Sequence, residues 1–134
     1  MTIRQAVIAV AGYGTRFLLA TKVQPKELLP IVDKPAVQHL VEEAVASGIK
    51  DVILVMRSGT RAIADHFDSS RELEAQLVKQ KNEKYLKMVQ AIPRLANLAF
   101  VWQGSHLPYG NGAPLLAARE FLAKDEAGWP CSSR

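Results

Sequence analysis

The 134-residue sequence predicts an α/β protein built on a Rossmann-like, three-layer parallel sheet. Three observations carry this. Three short apolar runs, residues 6–11, 52–56 and 98–102, are separated by stretches with helical periodicity, and such alternation gives a parallel sheet with right-handed crossovers. The first run is free of polar residues and bordered by Gln5 and Gly12, the pattern of a strand buried on both faces. Glycines follow that run directly, at the sheet edge where open α/β folds bind ligands.

The first helix is the best defined of the connecting elements. Pro35 stands at its start, and Val37, Leu40, Val41, Ala44 and Val45 recur at i, i+3, i+4, i+7 and i+8 until Ser47-Gly48 ends it. A shorter helix is expected over 61–67. Ser69 and Glu72 have capping-box spacing, which predicts a third helix starting near Ser70. It reaches residue 91, with a break near 80–82 between the clusters Leu73/Leu77 and Tyr85/Leu86/Val89, and Pro93 closes it. A fourth helix is expected over 114–123, with Leu115, Ala118 and Leu122 on one face. The tail 126–134, with Gly128, Pro130, Ser132 and Ser133, is expected to be disordered. The ordered part is then 1–125.

Composition narrows the function classes. The net charge of +4, from 17 basic and 13 acidic residues, comes without a dense basic block, so nucleic acid is not implied. Cys131 is the single cysteine, which excludes an internal disulfide and suits a reducing cytoplasm. Met1-Thr-Ile-Arg4 leads straight into the first strand, so no signal peptide and no membrane partner are expected. No apolar stretch approaches the roughly 20 residues that a membrane span needs.

The chemistry concentrates between Ala11 and Pro30. Gly12 and Gly14 let backbone N–H groups approach a phosphate, while Arg16 and Lys26 supply positive charge. Position 17 is Phe and no third glycine follows, so this is not the dinucleotide fingerprint. No Gly-Lys-Ser/Thr closes it, so it is not a P-loop. A tight strand-to-helix turn without a ligand is the other reading of the two glycines, and a surface position that of Arg16.

Gly12-Tyr-Gly-Thr-Arg16, followed by Pro25-Lys-Glu-Leu-Leu-Pro30, closely resembles the signature of the sugar-nucleotide pyrophosphorylases, of the bacterial UTP–glucose-1-phosphate uridylyltransferase type. The likeness continues through Ile31-Val-Asp-Lys-Pro35, Val41-Glu-Glu-Ala44, Ala46-Ser-Gly-Ile-Lys50, Ala62-Ile-Ala-Asp-His-Phe-Asp68 and Glu72-Leu-Glu-Ala75 to the Gln103 segment. It implies a nucleotidyltransferase-type fold and transfer of a uridylyl group from UTP to glucose 1-phosphate, giving UDP-glucose and pyrophosphate with magnesium. It also implies that the chain is an N-terminal piece, its sheet incomplete on the C-terminal side. In the family the strand after the fourth helix ends in the metal carboxylate, and Lys124-Asp-Glu-Ala-Gly-Trp-Pro-Cys-Ser-Ser-Arg134 has neither that strand nor that aspartate. The nucleotide-facing part would be 1–125, inactive alone. An open sheet edge and helix face would then invite self-association, so a homo-oligomer is a further expectation.

The resemblance also assigns roles. Ala11, Gly12, Gly14 and Thr15 belong to the stretch that would cradle the nucleotide, Arg16 would stabilise the leaving pyrophosphate, and Lys26 would meet the α-phosphate. Gln103 would read the uracil edge, since an amide offers donor and acceptor together; a solvated strand-end glutamine is its other reading. Gly110 and Gly112 align with a second glycine loop against base and ribose. Asn111 and Ala113-Pro114 depart from the family pattern there, which leaves a thymidylyl- or guanylyltransferase open. A non-catalytic nucleotide-binding or assembly module is the alternative outside enzymes. Ala9 and Leu19 stand where the family has proline. His39 is expected to pack or lie on the surface, His66 and Asp68 to cap or pair locally, Asp33 and Lys34 to pair with each other, and His106 to stand alone in a loop. None has metal-ligand spacing.

Overall fold

The computed structural model describes residues 3–107, 110 and 112–122. Its centre is a three-stranded parallel sheet of β1 (Gln5–Ala9), β4 (Asp51–Met56) and β5 (Asn97–Trp102), in the order β1-β4-β5. Between β1 and β4 lie a two-residue antiparallel hairpin, β2 (Pro30–Ile31) and β3 (Lys34–Pro35), and helix α1 (Ala36–Ala46). Helices α2 (Arg61–Phe67), α3 (Arg71–Lys79) and α4 (Glu83–Ala91) connect β4 to β5, and α5 (Ala113–Ala118) follows β5. The register pairs Ala9 with Val55 and Met56 with Trp102. Continued by two residues past Ala9 and Val55 and by one past Met56 and Trp102, it sets Ala11, Arg57 and Gln103 level at the carboxyl end of the sheet.

β4 lies in the middle, and its alternating side chains serve two cores. Val52, Leu54 and Met56 pack with Val10, Val37, Val41, Ile63 and Phe67 on one face. Ile53 and Val55 pack with Ala118, against Val7, Val101, Ala117 and Leu122, on the other. The expected three layers are present, the second face being covered by α5.

Several expectations need correction. The strand buried on both faces is β4; in the sheet of the described residues β1 stands at an edge and is only half-buried. Val10, just past β1, is fully buried, its N–H donating to Val55 O at 2.9 Å. Leu40, placed on the core stripe of α1, is 45% exposed. It lines a groove of about 460 Å³ with Ala6, Val7, Ile8, Ala9 and Ala44, along β1. The capping box at Ser69 and Glu72 does not form: Ser70 precedes α3 without a side-chain cap. On the fourth helix Ala118 is buried and Leu122 packs against the core, but Leu115 points outward, replaced inside by Ala113 and Pro114.

The break between α3 and α4 has a clear cause. Lys81 adopts φ 55, its N–H donates to Val78 O and that of Asn82 to Leu77 O, both at 3.0 Å. This is a Schellman C-cap with lysine in the left-handed position that glycine favours. Asn82 then caps α4, its side chain accepting from the Tyr85 N–H at 3.4 Å. The residues from 123 onward, including the expected tail and Cys131, lie outside the described residues, as do Pro108, Tyr109 and Asn111.

Candidate functional site

The segment after β1 turns sharply because Gly14 takes a left-handed conformation, φ 64 and ψ 32, which costs glycine little. A short 3-10 turn, Thr15–Phe17, follows, with Phe17 N–H donating to Gly14 O at 3.0 Å. Buried Thr21 donates its hydroxyl to the same carbonyl at 2.7 Å. Space is tight here: a Cβ on Gly14 would lie 3.2 Å from both Thr21 Cγ2 and Lys26 Cβ.

Lys26 comes to this turn from a second one. Pro25 is buried and extended, and the 3-10 turn Lys26–Leu28 begins after it. The lysine side chain runs along the glycine segment, its Nζ 3.8 Å from where a Cβ of Gly12 would stand. The structure thus brings together Gly12, Gly14 and Lys26 from the predicted set. Thr15 and Arg16 occupy the adjoining turn with exposed side chains, and neither Arg16 nor Lys26 has an ion-pair partner among the described residues. Backbone turned by glycines beside free cations suits a phosphate.

Gln103 extends β5, its N–H donating to Met56 O at 2.6 Å. At ordinary strand spacing, two interstrand steps across β4 put it about 10 Å from Ala11. Its Oε1 is buried and has no hydrogen-bond partner among the described residues. A buried acceptor left unmade is costly, so this oxygen is ready to take a donor. Gly110 and Gly112 lie further on, both exposed, with open space where a Cβ would be. Gly112 O caps α5 by accepting the Leu116 N–H at 3.1 Å. The described residues do not close this second loop onto the first.

Some residues of this region were not singled out by sequence reasoning. Arg57, the residue after β4, reaches Gly12 and Tyr13; its position just past an apolar run, like that of Gly12 itself, was the available signal. Glu27 is buried beside Lys26 in sequence, with Oε2 unpartnered. Lys34 pairs with Glu42, not Asp33, at 2.9 Å, because the tight β2–β3 hairpin turns it onto α1. Glu42 also accepts from Gln38 Nε2 at 3.0 Å, and Gln38 Oε1 meets His66 Nε2 at 2.9 Å. His66 therefore pairs across helices, 28 residues away, and not within its own helix end. Burial holds the His66 imidazole below its ordinary pKa. Burial alone would raise the Glu42 carboxyl, but hydrogen bonds from Gln38 and Lys34, with the charges of Lys34 and His39, bring it down overall. Asp68 binds the neighbouring Ser69 N–H at 2.8 Å, as a local partner. His39 lies 3.4 Å from Ile31 O, and His106 sits over Gly104 so closely that any side chain there would collide with its ring.

A parallel sheet with a glycine turn and, among the described residues, unpaired cations at its carboxyl edge is the arrangement at which open α/β folds bind ligands. Residues 5–108 match the nucleotidyl transferase family, and the chain belongs to it. It is 49% identical over 123 residues to the UTP–glucose-1-phosphate uridylyltransferase YngB of Bacillus subtilis, covering 92% of this chain and 41% of that one. Its fold matches the UDP-glucose pyrophosphorylase from Acinetobacter baumannii with a TM-score of 0.85 at 39% identity, over 92% of this chain and 43% of that one. A UTP-bound UDP-glucose pyrophosphorylase of the same organism gives a TM-score of 0.79 at 37% identity, over the same shares. The chain thus spans about two-fifths of the length of these relatives.

Proposed function

We propose that this chain forms the nucleotide-facing part of a uridylyltransferase that makes UDP-glucose and pyrophosphate from UTP and glucose 1-phosphate. The observation that carries the reading is the Lys26 ammonium lying along the glycine turn at Gly12. In the reaction a phosphate oxygen of the sugar phosphate bonds to the α-phosphorus of UTP. The bond from that phosphorus to the bridging oxygen breaks, and pyrophosphate leaves with the electron pair. Such transfers depend on positioning and on neutralising the spread charge. Ala11, Gly12, Gly14 and Thr15 would hold the phosphate chain by their backbone, Lys26 would meet the α-phosphate, and Arg16 the leaving pyrophosphate.

Gln103 would read the base. Its unpartnered Oε1 suits the imide N–H of uracil, and about 10 Å between it and the glycine turn is a span that a nucleoside triphosphate can bridge. Gly110 and Gly112 would approach the base and ribose from the far side. Magnesium is the metal the family resemblance implies. Among the described residues no three His, Cys, Asp or Glu side chains form a set that could hold it, and we assign it no ligand. Turnover is proposed to need the further length that the relatives have, and the cytoplasm is the proposed setting. The groove beside β1, where Leu40 is exposed, favours a second reading, an assembly module that binds nucleotide without turning it over.

Nucleotide selectivity tests the proposal. Calorimetric titration of the chain should show UTP binding tighter than CTP or ATP. Gln103→Leu should weaken UTP about tenfold, the loss of one buried hydrogen bond, and remove the preference over CTP. Equal binding of UTP and ATP by the unaltered chain would contradict it.

A further inference from the structure

Arg57 is the first residue after the middle strand, level in register with Ala11 on one side and Gln103 on the other. Its backbone is pinned by Thr60, which is fully buried. The Thr60 hydroxyl donates to Arg57 O at 2.7 Å and lies 3.2 Å from the Arg57 N–H. From this fixed base the side chain reaches across to the turn after β1. Nε donates to Gly12 O at 3.4 Å, Cζ stands 4.1 Å from the centre of the Tyr13 ring, and Nη1 donates to Ser58 O at 2.7 Å. No carboxylate among the described residues pairs with it. A Cβ on Gly59 would lie 3.5 Å from Nη1, an ordinary contact, so the turn that follows does not crowd the guanidinium.

We propose that Arg57 is a positioning residue that latches the glycine turn. The Gly12 carbonyl and the Tyr13 ring are held from β4, 45 residues away in sequence, while Lys26 lies on Gly12 from another direction. The turn is thereby fixed before a nucleotide arrives, and the ligand does not have to supply the ordering entropy. The planar fork suits the role: Nε donates to the carbonyl while Cζ stands over the ring, and Nη1 holds Ser58 O at the same time, a spread of fixed contacts that a compact ammonium does not reproduce. The consequence for nucleotide affinity rests on the function proposed above; the latch itself does not.

The test compares the full chain with Arg57→Lys, Arg57→Gln and Tyr13→Leu by backbone ¹⁵N relaxation without nucleotide, then by UTP titration. In the unaltered chain the amides of Tyr13 and Gly14 should show order parameters near the rigid value of about 0.85, falling toward about 0.6 in all three variants, while those of β4 stay unchanged. UTP affinity should drop about tenfold in Arg57→Lys as in Arg57→Gln, or about 1.4 kcal/mol. Wild-type order parameters in Arg57→Gln would overturn the latch. Restoration of UTP affinity by Arg57→Lys would overturn it too, showing that the charge alone matters. If the unaltered chain binds no UTP, the nucleotide reading fails while the relaxation comparison still decides the latch.

Discussion

Individual residues set the chemistry through their neighbours. His66 shows how. Its imidazole is half-buried, bonded to Gln38 and set edge-on to Phe67 with ring centres 5.2 Å apart. Burial lowers its pKa in the folded state, so below the ordinary value of about 6.5 the unfolded chain binds the proton more readily. Stability from this group is complete above that pH and declines as pH falls below it. Glu42, also lowered, adds loss in the same direction at more acidic pH. Urea midpoints measured from pH 7.5 to 5.5 should decline, and His66→Gln should flatten that decline; an unchanged slope would show that the histidine does not carry it. At this scale the sequence was informative about Lys26, whose Pro25 and spacing mark it, and silent about Arg57 and Gln38, whose partners are 45 and 28 residues distant.

Elements were legible where their signals were local. The second helix spans 61–67 and the breaks at 47–48 and 80–82 occur as expected, because Gly48 and the polar stretch interrupt the apolar pattern. The burial of β1 was not legible. Its apolar run is compatible with a middle or an edge position, and only the order β1-β4-β5 decides. The β2–β3 hairpin was missed because two residues per strand carry no periodicity; Val32 turns it at φ 64. Lys81, at φ 55 in the C-cap of α3, yields a prediction at this scale. Lys81→Gly should stabilise the chain by up to about 1 kcal/mol, since the left-handed position penalises a side chain. Thermal unfolding measures this, and a loss of stability would mean that the lysine makes a compensating contact.

At the scale of the whole molecule, the sheet of the described residues is covered on both faces, with β1 and β5 as its two edge strands. Among the described residues β4 is the strand paired with β1, and the groove beside β1 exposes Leu40. Unpaired strand edges with apolar surroundings invite association. Sedimentation of the chain should therefore show mass rising with concentration, and Leu40→Lys should shift it toward the monomer without a large change in melting temperature. Monomer at all concentrations would remove the self-association reading. The edge that carries the candidate site is the opposite matter: Gly12, Lys26, Arg57 and Gln103 reach it from separate turns and strand ends, which is why a motif in one stretch revealed only part of it.

The central claim is that this edge holds a nucleotide, with Lys26 against its phosphates. Titrating the isotope-labelled chain with UTP, with and without magnesium, and following its amide signals tests this most directly. Saturable shifts at Gly12, Gly14 and Gln103 are predicted, with Lys26→Ala weakening binding about tenfold or more, as expected for one lost charge-assisted contact. A well-dispersed spectrum in which UTP moves none of these amides would contradict the account.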